Sequence, residues 1–348
     1  MDVLDRLTNK AALEQAYGAK SGQLTVINAE ELAANLKGKV IGQNEVIDQL
    51  CRTLRRRIAA KRPNKPIAVF CFAGPPGVGK THLAKMLAEQ LFQSKNNLHF
   101  FDMTQCMQPH NANTLFGSPK GYVGSGSYGA LTAALRDVPN SIVLLDEIEK
   151  AHPDVHKRFL TAWNDGFVVE SSDGSKIPTH ETIFIMTTNA ASRRIGEFAR
   201  DHKGTQEELD RVAKSMLADA QFAPEVLSRI DAVFAFREMK GLDIARIVAL
   251  EIESKTKEYG LQIADGGIDA QILLASIDKI TKDGAKGGVR DIARAIENQI
   301  TDGLIDAKTD GATHVRLIAD GDEVIVVPER DNPQQPKGDA SSASTAAG

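Results

Sequence analysis

Gly74-Pro75-Pro76-Gly77-Val78-Gly79-Lys80-Thr81 fits the pattern G-x-x-x-x-G-K-[ST], and its surroundings give the pattern physical meaning. The apolar run Ile67–Ala73 before it reads as a buried strand, and Leu83–Leu91 after it reads as an amphipathic helix. Glycines in such a turn let the backbone curl until its N–H groups face a phosphate, and the positive end of the helix dipole adds to the attraction. Lys80 would neutralise the terminal phosphates, and the Thr81 hydroxyl would bind magnesium. A nucleoside triphosphate is therefore the expected ligand, with ATP and Mg2+ the expected pair.

Working outward, the chain of 348 residues is long enough for one or two ordinary cores. It is 42% hydrophobic but only 5% aromatic, which suits a helix-rich α/β protein. No run of 18 apolar residues is present, and Met1–Lys10 mixes charged with apolar groups, so neither a membrane span nor a secretory signal is expected. The net charge of -4, with both signs interspersed, gives no general attraction to nucleic acid. Cys51, Cys71 and Cys106 lie far apart without paired spacing, which argues against a zinc site or a disulfide framework and for a reducing cytoplasm.

Strands are predicted at Ile67–Ala73, Leu98–Asp102, Ser141–Leu145, Thr182–Thr188 and Ala232–Phe236, mostly separated by helical patterns. That alternation predicts an α/β fold with a parallel five-stranded sheet covered by helices. After Phe236 the pattern changes to helices at Leu242–Tyr259, Asp269–Lys282 and Val289–Ala307, then a hairpin over His314–Val327 around Asp320-Gly321-Asp322. The expected organisation is an extension over 1–38, a large ATPase domain over 39–237, a small, mostly helical lid over 238–328 and a disordered tail over 329–348.

Ser141–Leu145 runs into Asp146 and Glu147, at the strand end where α/β sheets bind ligands. Asp146 can hold magnesium through water, and Glu147 can polarise the water that attacks the γ-phosphate. Thr187-Thr188-Asn189 ends another apolar strand. Asn189 could bond both that water and the γ-phosphate, although read without the other motifs it is preferred as a turn residue.

The segment Ser141–Val155, SIVLLDEIEKAHPDV, closely resembles the Walker B region of the Clp-type AAA+ protein unfoldases, above all the second ATPase module of the two-ring members. Lys39–Gln43, Gly121-Tyr122-Val123-Gly124, Phe222–Asp231 and Gly288-Val289-Arg290 followed by Ile292–Ile296 match that family in the same order. The similarity runs from about Lys39 to about Val327. It implies an AAA+ P-loop fold and an ATPase in a homo-oligomeric ring, expected to be a hexamer, that threads protein substrates through a central pore. Val40 and Ile41 would line the adenine pocket. Arg229 would be the arginine finger given to a neighbouring subunit, and Arg290 the second nucleotide sensor on the lid. For either arginine a surface ion pair is the plain alternative. Gly121 to Gly124 would form the pore loop, its glycines freeing the backbone and Tyr122 gripping substrate. Tyr128, where the family usually carries glycine, reads either as a second gripping aromatic or as a packing residue.

Other segments depart from the family. Residues 1–38 resemble no folded adaptor domain, and no first ATPase module or coiled-coil insertion is seen, so a single-ring machine is expected. Ile195-Gly196-Glu197-Phe198 carries an acid where a peptidase-docking tripeptide needs an apolar side chain, so no clear peptidase docking is expected. Ala223 and Ser228 replace the usual arginine and asparagine near Arg229. The basic run Arg52, Arg55, Arg56, Arg57, Lys61 and Arg62 is preferred as a solvated face or subunit contact over a nucleic-acid patch. An AAA+ nucleic-acid switch, such as a clamp or helicase loader, and a non-threading assembly ATPase remain the competing readings.

Overall fold

The computed structural model describes residues 27–60, 62–119, 121, 127–220, 222–283, 289–321 and 323–329, with the side chains of 95, 280–283 and 289–290 outside the description. The chain forms two compact units, divided between Met239 and Lys240. In the first unit the helices are α1 (Ala29–Lys39), α2 (Asn44–Ala59), α3 (Lys80–Phe92), α4 (Ala112–Phe116), α5 (Ala130–Asp137), α6 (Pro153–Asp165), α7 (Ser192–Asp201), α8 (Gln206–Asp219) and α9 (Pro224–Arg229). Its strands are β1 (Ala68–Ala73), β2 (Leu98–Asp102), β3 (Ile142–Asp146), β4 (Phe167–Val169), β5 (Lys176–Pro178), β6 (Ile183–Thr188) and β7 (Ala232–Ala235).

Five of these strands make one sheet in the order β2-β3-β6-β1-β7, and every pairing in it is parallel. Alternation along the strands divides the core in two. Phe70 and Phe72 of β1, Ile142 and Leu144 of β3, and Ile183 and Ile185 of β6 face a cluster closed by α1, α2 and α3. Val69 and Cys71, Val143 and Leu145, and Phe184 and Met186 face the opposite cluster, closed by α5 through α9. A strand buried on both faces has no polar positions to alternate with, which is why these segments read as unbroken apolar runs.

The core reaches further towards the N-terminus than the expected start at 39. Helix α1 is capped by Asn28, whose side chain accepts from the backbone N–H of Glu30 and Glu31, and it buries Leu32 and Leu36 in the first cluster. The sequence also gave no warning of the antiparallel hairpin β4–β5.

The second unit contains α10 (Leu242–Glu258), β8 (Gln262–Ile268), α11 (Ala270–Asp283), α12 (Val289–Thr309), β9 (His314–Asp320) and β10 (Glu323–Glu329). Strands β9 and β10 form the expected hairpin, and β8 adds a third, parallel strand with an irregular register between Ile263 and Ile268. The apolar pattern hid β8 because Gly266 and Gly267 interrupt it. Ile244, Val248, Ile252, Ile300, Leu304, Val315 and Leu317 are buried in this unit.

Candidate active site

The glycine loop joins β1 to α3 and owes its shape to three glycines. Gly74, Gly77 and Gly79 have φ of 150°, 76° and 93°, values that side-chain-bearing residues rarely adopt. At Gly74 a Cβ would also press on the Phe236 carbonyl oxygen at 2.7 Å. Gly79 caps α3 without any side-chain hydrogen bond, which leaves the first-turn N–H groups available to a ligand.

Lys80 is buried, and its Nζ donates to the Gly74 carbonyl at 2.8 Å, the Pro75 carbonyl at 2.7 Å and Asn189 Oδ1 at 2.8 Å. These use all three of its donors. Burial lowers its pKa from 10.5 to about 8, against the opposing pull of Glu149, Asp146 and Glu147.

Strands β3 and β6 deliver the other groups to the same edge. Asp146 Oδ1 accepts from the Thr81 hydroxyl at 2.7 Å and from the Thr187 hydroxyl at 2.7 Å. The Glu147 backbone N–H donates to Thr187 Oγ1 at 3.0 Å, and Glu147 itself has a φ of 55°, a left-handed turn that is uncommon outside glycine. Asn189 is the hinge of the cluster: Nδ2 donates to Glu147 Oε1 at 3.1 Å while Oδ1 takes the Lys80 ammonium. One residue thus connects the lysine expected to bind phosphate to the carboxylate expected to polarise water.

Two participants escaped the sequence reading. Glu149 Oε1 accepts from the Asn189 backbone N–H at 3.0 Å, while its Oε2 is buried with no hydrogen-bond partner among the described residues. The signal was the third acid of Asp146-Glu147-Ile148-Glu149. Gln43 is buried, and its amide bonds the Val78 carbonyl at 3.3 Å and both the carbonyl (2.9 Å) and the N–H (3.3 Å) of Arg237. It ties the glycine loop to the segment after β7. Val40 is buried, with Cγ1 4.0 Å from where a Cβ on Gly79 would sit, and Ile41 is half-buried next to it.

Arg229 stands apart from this cluster. It is the last residue of α9, is exposed, and has no ion pair or side-chain hydrogen bond among the described residues. Arg290 lies in α12, with its side chain outside the description. Gly121 is exposed with a φ of 94°, and Tyr122, Val123 and Gly124 lie outside the described residues.

The structure decides several open alternatives. Tyr128 is a packing residue: it is half-buried against the core, donates to Asp173 Oδ2 at 2.6 Å, and lies under the Arg136 guanidinium at 4.6 Å. Within the basic run, Arg62 makes a two-pronged pair with Asp231 at 3.1 and 2.9 Å, and Arg57 joins it at 3.1 Å. Those two are structural ties, while Arg52, Arg55 and Arg56 are exposed and Lys61 lies outside the described residues. Ile195 is fully buried within α7, and Phe198 stacks on His202 at 5.0 Å.

A parallel sheet in this order, a glycine loop ending in Lys-Thr after β1, and acids at the end of β3, with β6 between the two strands, define a P-loop nucleoside triphosphatase module. Residues 65–233 match the AAA domain (Cdc48 subfamily). Among relatives, the ATP-dependent Clp protease ATP-binding subunit ClpE of Lactococcus lactis is 35% identical over 300 residues, which is 85% of this chain and 39% of that protein. ClpE of Bacillus subtilis is 36% identical, over 88% of this chain and 44% of the relative. The chaperone protein ClpB of Leptolyngbya boryana is 37% identical, over 76% of this chain and 30% of the relative. The chain thus belongs to the Clp-type AAA+ ATPase family, and it spans less than half the length of these relatives.

Proposed function

We propose that this chain is an ATP-dependent protein remodeller that works as a homo-oligomeric ring, a hexamer, and threads protein substrate through a central pore. The observation that carries the catalytic part is the bridge Lys80–Asn189–Glu147 beside the pair Thr81–Asp146. Val40 and Ile41 would hold the adenine. Gly74 to Gly79 would wrap the phosphates, with Lys80 exchanging its carbonyl partners for phosphate oxygens. Glu147 would polarise the water that attacks the γ-phosphorus as the bond to the β–γ bridging oxygen breaks.

The Thr81 hydroxyl and the Asp146 carboxylate form a hard-oxygen pair suited to Mg2+, which takes few protein ligands and completes its shell with phosphates and water. Bound there, magnesium would neutralise charge on the β- and γ-phosphates. Among the described residues no group of three or more His, Cys, Asp and Glu is placed to hold a metal unaided, in keeping with an ion that arrives with the nucleotide.

Arg229, exposed and without an ion pair among the described residues, supports the trans arginine finger, since it could enter a neighbour's site. Arg290 on the small unit would sense the nucleotide, and Tyr122 would grip substrate. The burial of Ile195 argues against peptidase docking through Ile195–Phe198. Three free, buried cysteines fit the reducing cytoplasm, and among the described residues no helix is long and apolar enough to cross a membrane.

Mixing tests the ring and the finger together. Glu147→Gln and Arg229→Ala chains should each be nearly inactive alone. Mixed, they should regain a share of the ATPase, because some junctions then combine an intact Glu147 with an intact Arg229. No recovery, in a mixture shown to co-assemble, rejects the finger. Tyr122→Ala should keep ATP turnover yet stop unfolding of a green fluorescent protein carrying an unstructured tail; continued unfolding rejects threading.

A further inference from the structure

Two glycines, Gly117 and Gly129, form a neck where the chain enters and leaves the stretch that carries Gly121–Gly124. Helix α4 ends at Gly117, which has a φ of 83°, and α5 begins after Gly129. A Cβ on Gly129 would overlap the Gly117 N and the Leu115 carbonyl, so the outgoing and returning backbones touch. No side chain fits between them. A Cβ on Gly117 would fall inside the carboxylate of Glu170, a residue more than fifty positions further along the chain.

Glu170 is fully buried immediately after β4, and it has no cationic partner among the described residues. Its Oε2 accepts from the Gly129 N–H at 3.0 Å and from the Thr132 hydroxyl; its Oε1 accepts from the Ser172 N–H at 2.9 Å. An ionised carboxylate only accepts, and here every partner is a donor. Burial by itself raises its pKa, but the bonds from Thr132, Ser172 and Gly129 outweigh burial and the net shift is downward.

The rest of the β4–β5 hairpin grips the same two backbones. The Ser171 N–H donates to the Phe116 carbonyl at 2.7 Å on the outgoing side, and Tyr128 reaches Asp173 on the returning side. Arg158 of α6 donates to Ser171 Oγ at 2.8 Å and lies 5.5 Å from the Phe116 ring centre. Helix α6 follows directly on the turn that carries Glu147 and Glu149. A continuous set of contacts therefore runs from the catalytic turn to the neck.

We propose that Glu170 is the positioning residue of the substrate loop: it locks Gly117 and Gly129 into a rigid neck, so that motion in the ATPase core reaches the residues between them. The inference rests on the pore-loop reading of Gly121–Gly124. Glu170 is not part of the chemistry at the nucleotide.

The test uses the full chain with Glu170→Gln. A glutamine must turn an NH2 group towards Ser172 or towards Gly129 and Thr132, so at least one donor loses its acceptor. Hydrogen exchange at 129–132 should rise about tenfold or more, as expected for losing a buried charge-assisted bond. Basal ATPase should stay at the wild-type level. Unfolding of the tailed green fluorescent protein per ATP hydrolysed should fall several-fold. Thr132→Val removes one donor while filling the same space and should give a weaker version of both effects, which keeps the test available if Glu170→Gln folds poorly.

Gly117→Ala should displace the carboxylate and reproduce the Glu170→Gln phenotype. The double variant should then be no worse than the worse single one, whereas simple destabilisation would add. Unchanged exchange at 129–132 overturns the proposal, as does raised exchange with unfolding per ATP intact. Tyr122→Ala run in parallel separates the two failures. Unfolding that survives Tyr122→Ala refutes threading. Unfolding lost in Tyr122→Ala but intact in Glu170→Gln overturns only the neck.

Discussion

The phosphate loop and the 117–129 stretch are both built on glycine, yet they are held in opposite ways. Between Gly74 and Lys80 the glycines supply unusual dihedral angles, and a lysine from the same loop folds back onto the Gly74 and Pro75 carbonyls. At Gly129 the backbone has ordinary angles, and glycine is required because another backbone lies against it. There the anchor is an anion from a distant hairpin instead of a cation from the loop itself. A loop that must wrap phosphate presents N–H groups outward and keeps its own cation close. A loop proposed to carry force would need a stiff base, and a buried carboxylate with three donors would provide one.

The difference predicts that the two loops fail separately. Glu147→Gln should lower ATP turnover by roughly 100- to 10,000-fold, the range for removing a positioned acid or base, while leaving ATP binding intact. Hydrogen exchange at 129–132 should not change in that variant. Turnover near the wild-type rate would remove Glu147 from the mechanism, and altered exchange would show that the two loops are not independent.

The glycines themselves give the next largest contrast. Gly129→Ala should destabilise the large unit by about 3 kcal/mol or more, since backbone atoms have nowhere to move. Gly79→Ala meets only ordinary contacts at 4.0 Å and should cost about 1–2 kcal/mol from its left-handed angle. Chemical denaturation of both variants decides the order. Equal costs would mean that crowding at the neck is relieved by a shift of the chain.

The cation in one loop and the anion in the other also separate by pH. With a pKa of about 8, Lys80 is charged below that value and loses its charge as pH rises through it. ATP affinity should therefore be flat below pH 8 and decline above it by up to about tenfold per unit, measured by calorimetry without turnover in Glu147→Gln. A flat profile to pH 9.5 would mean that Lys80 is not the group neutralising the phosphates.

The smallest effect comes from Asp210 on α8, which belongs to neither loop. Burial raises its pKa from 3.8 to about 7, although the Ala235 N–H and Gln206 Nε2 both donate to its Oδ1 at 2.7 Å. A raised carboxyl favours the folded state while protonated, so its contribution is complete below about pH 4 and gone above about pH 7. Asp210→Asn keeps an acceptor for both donors. It should flatten the stability profile between those pH values and gain on the order of 1 kcal/mol at pH 8, with ATPase and loop exchange unchanged. An unaltered slope would show that Asp210 is ionised throughout.

Four strands of the large sheet, β1, β3, β6 and β7, were legible because burial forces nearly continuous apolar runs, whereas the edge strand β2 has no buried residue; the boundaries of all five fell within a residue of the observed ones. Lys80, Thr81, Asp146, Glu147 and Asn189 were legible because their positions are set locally, by a turn or a strand end. Strand β8 and the β4–β5 hairpin were not, since Gly266 and Gly267 interrupt one and the other is only three residues a side. Tyr128 admits two readings in sequence because a tyrosine beside a glycine loop looks the same whether it packs or protrudes.

The sequence by itself determined the fold class, the phosphate loop and the acids beside it, because spacing along one strand, turn or helix start dictates where those side chains point. Only the tertiary structure decided that Asn189 bridges Lys80 to Glu147, that Asp231 consumes Arg57 and Arg62, and that Glu170 closes the neck between Gly117 and Gly129. Each of those contacts joins residues more than forty positions apart. Their partners are set by strand order and by which face of the sheet each element covers, and no local pattern of residues encodes either.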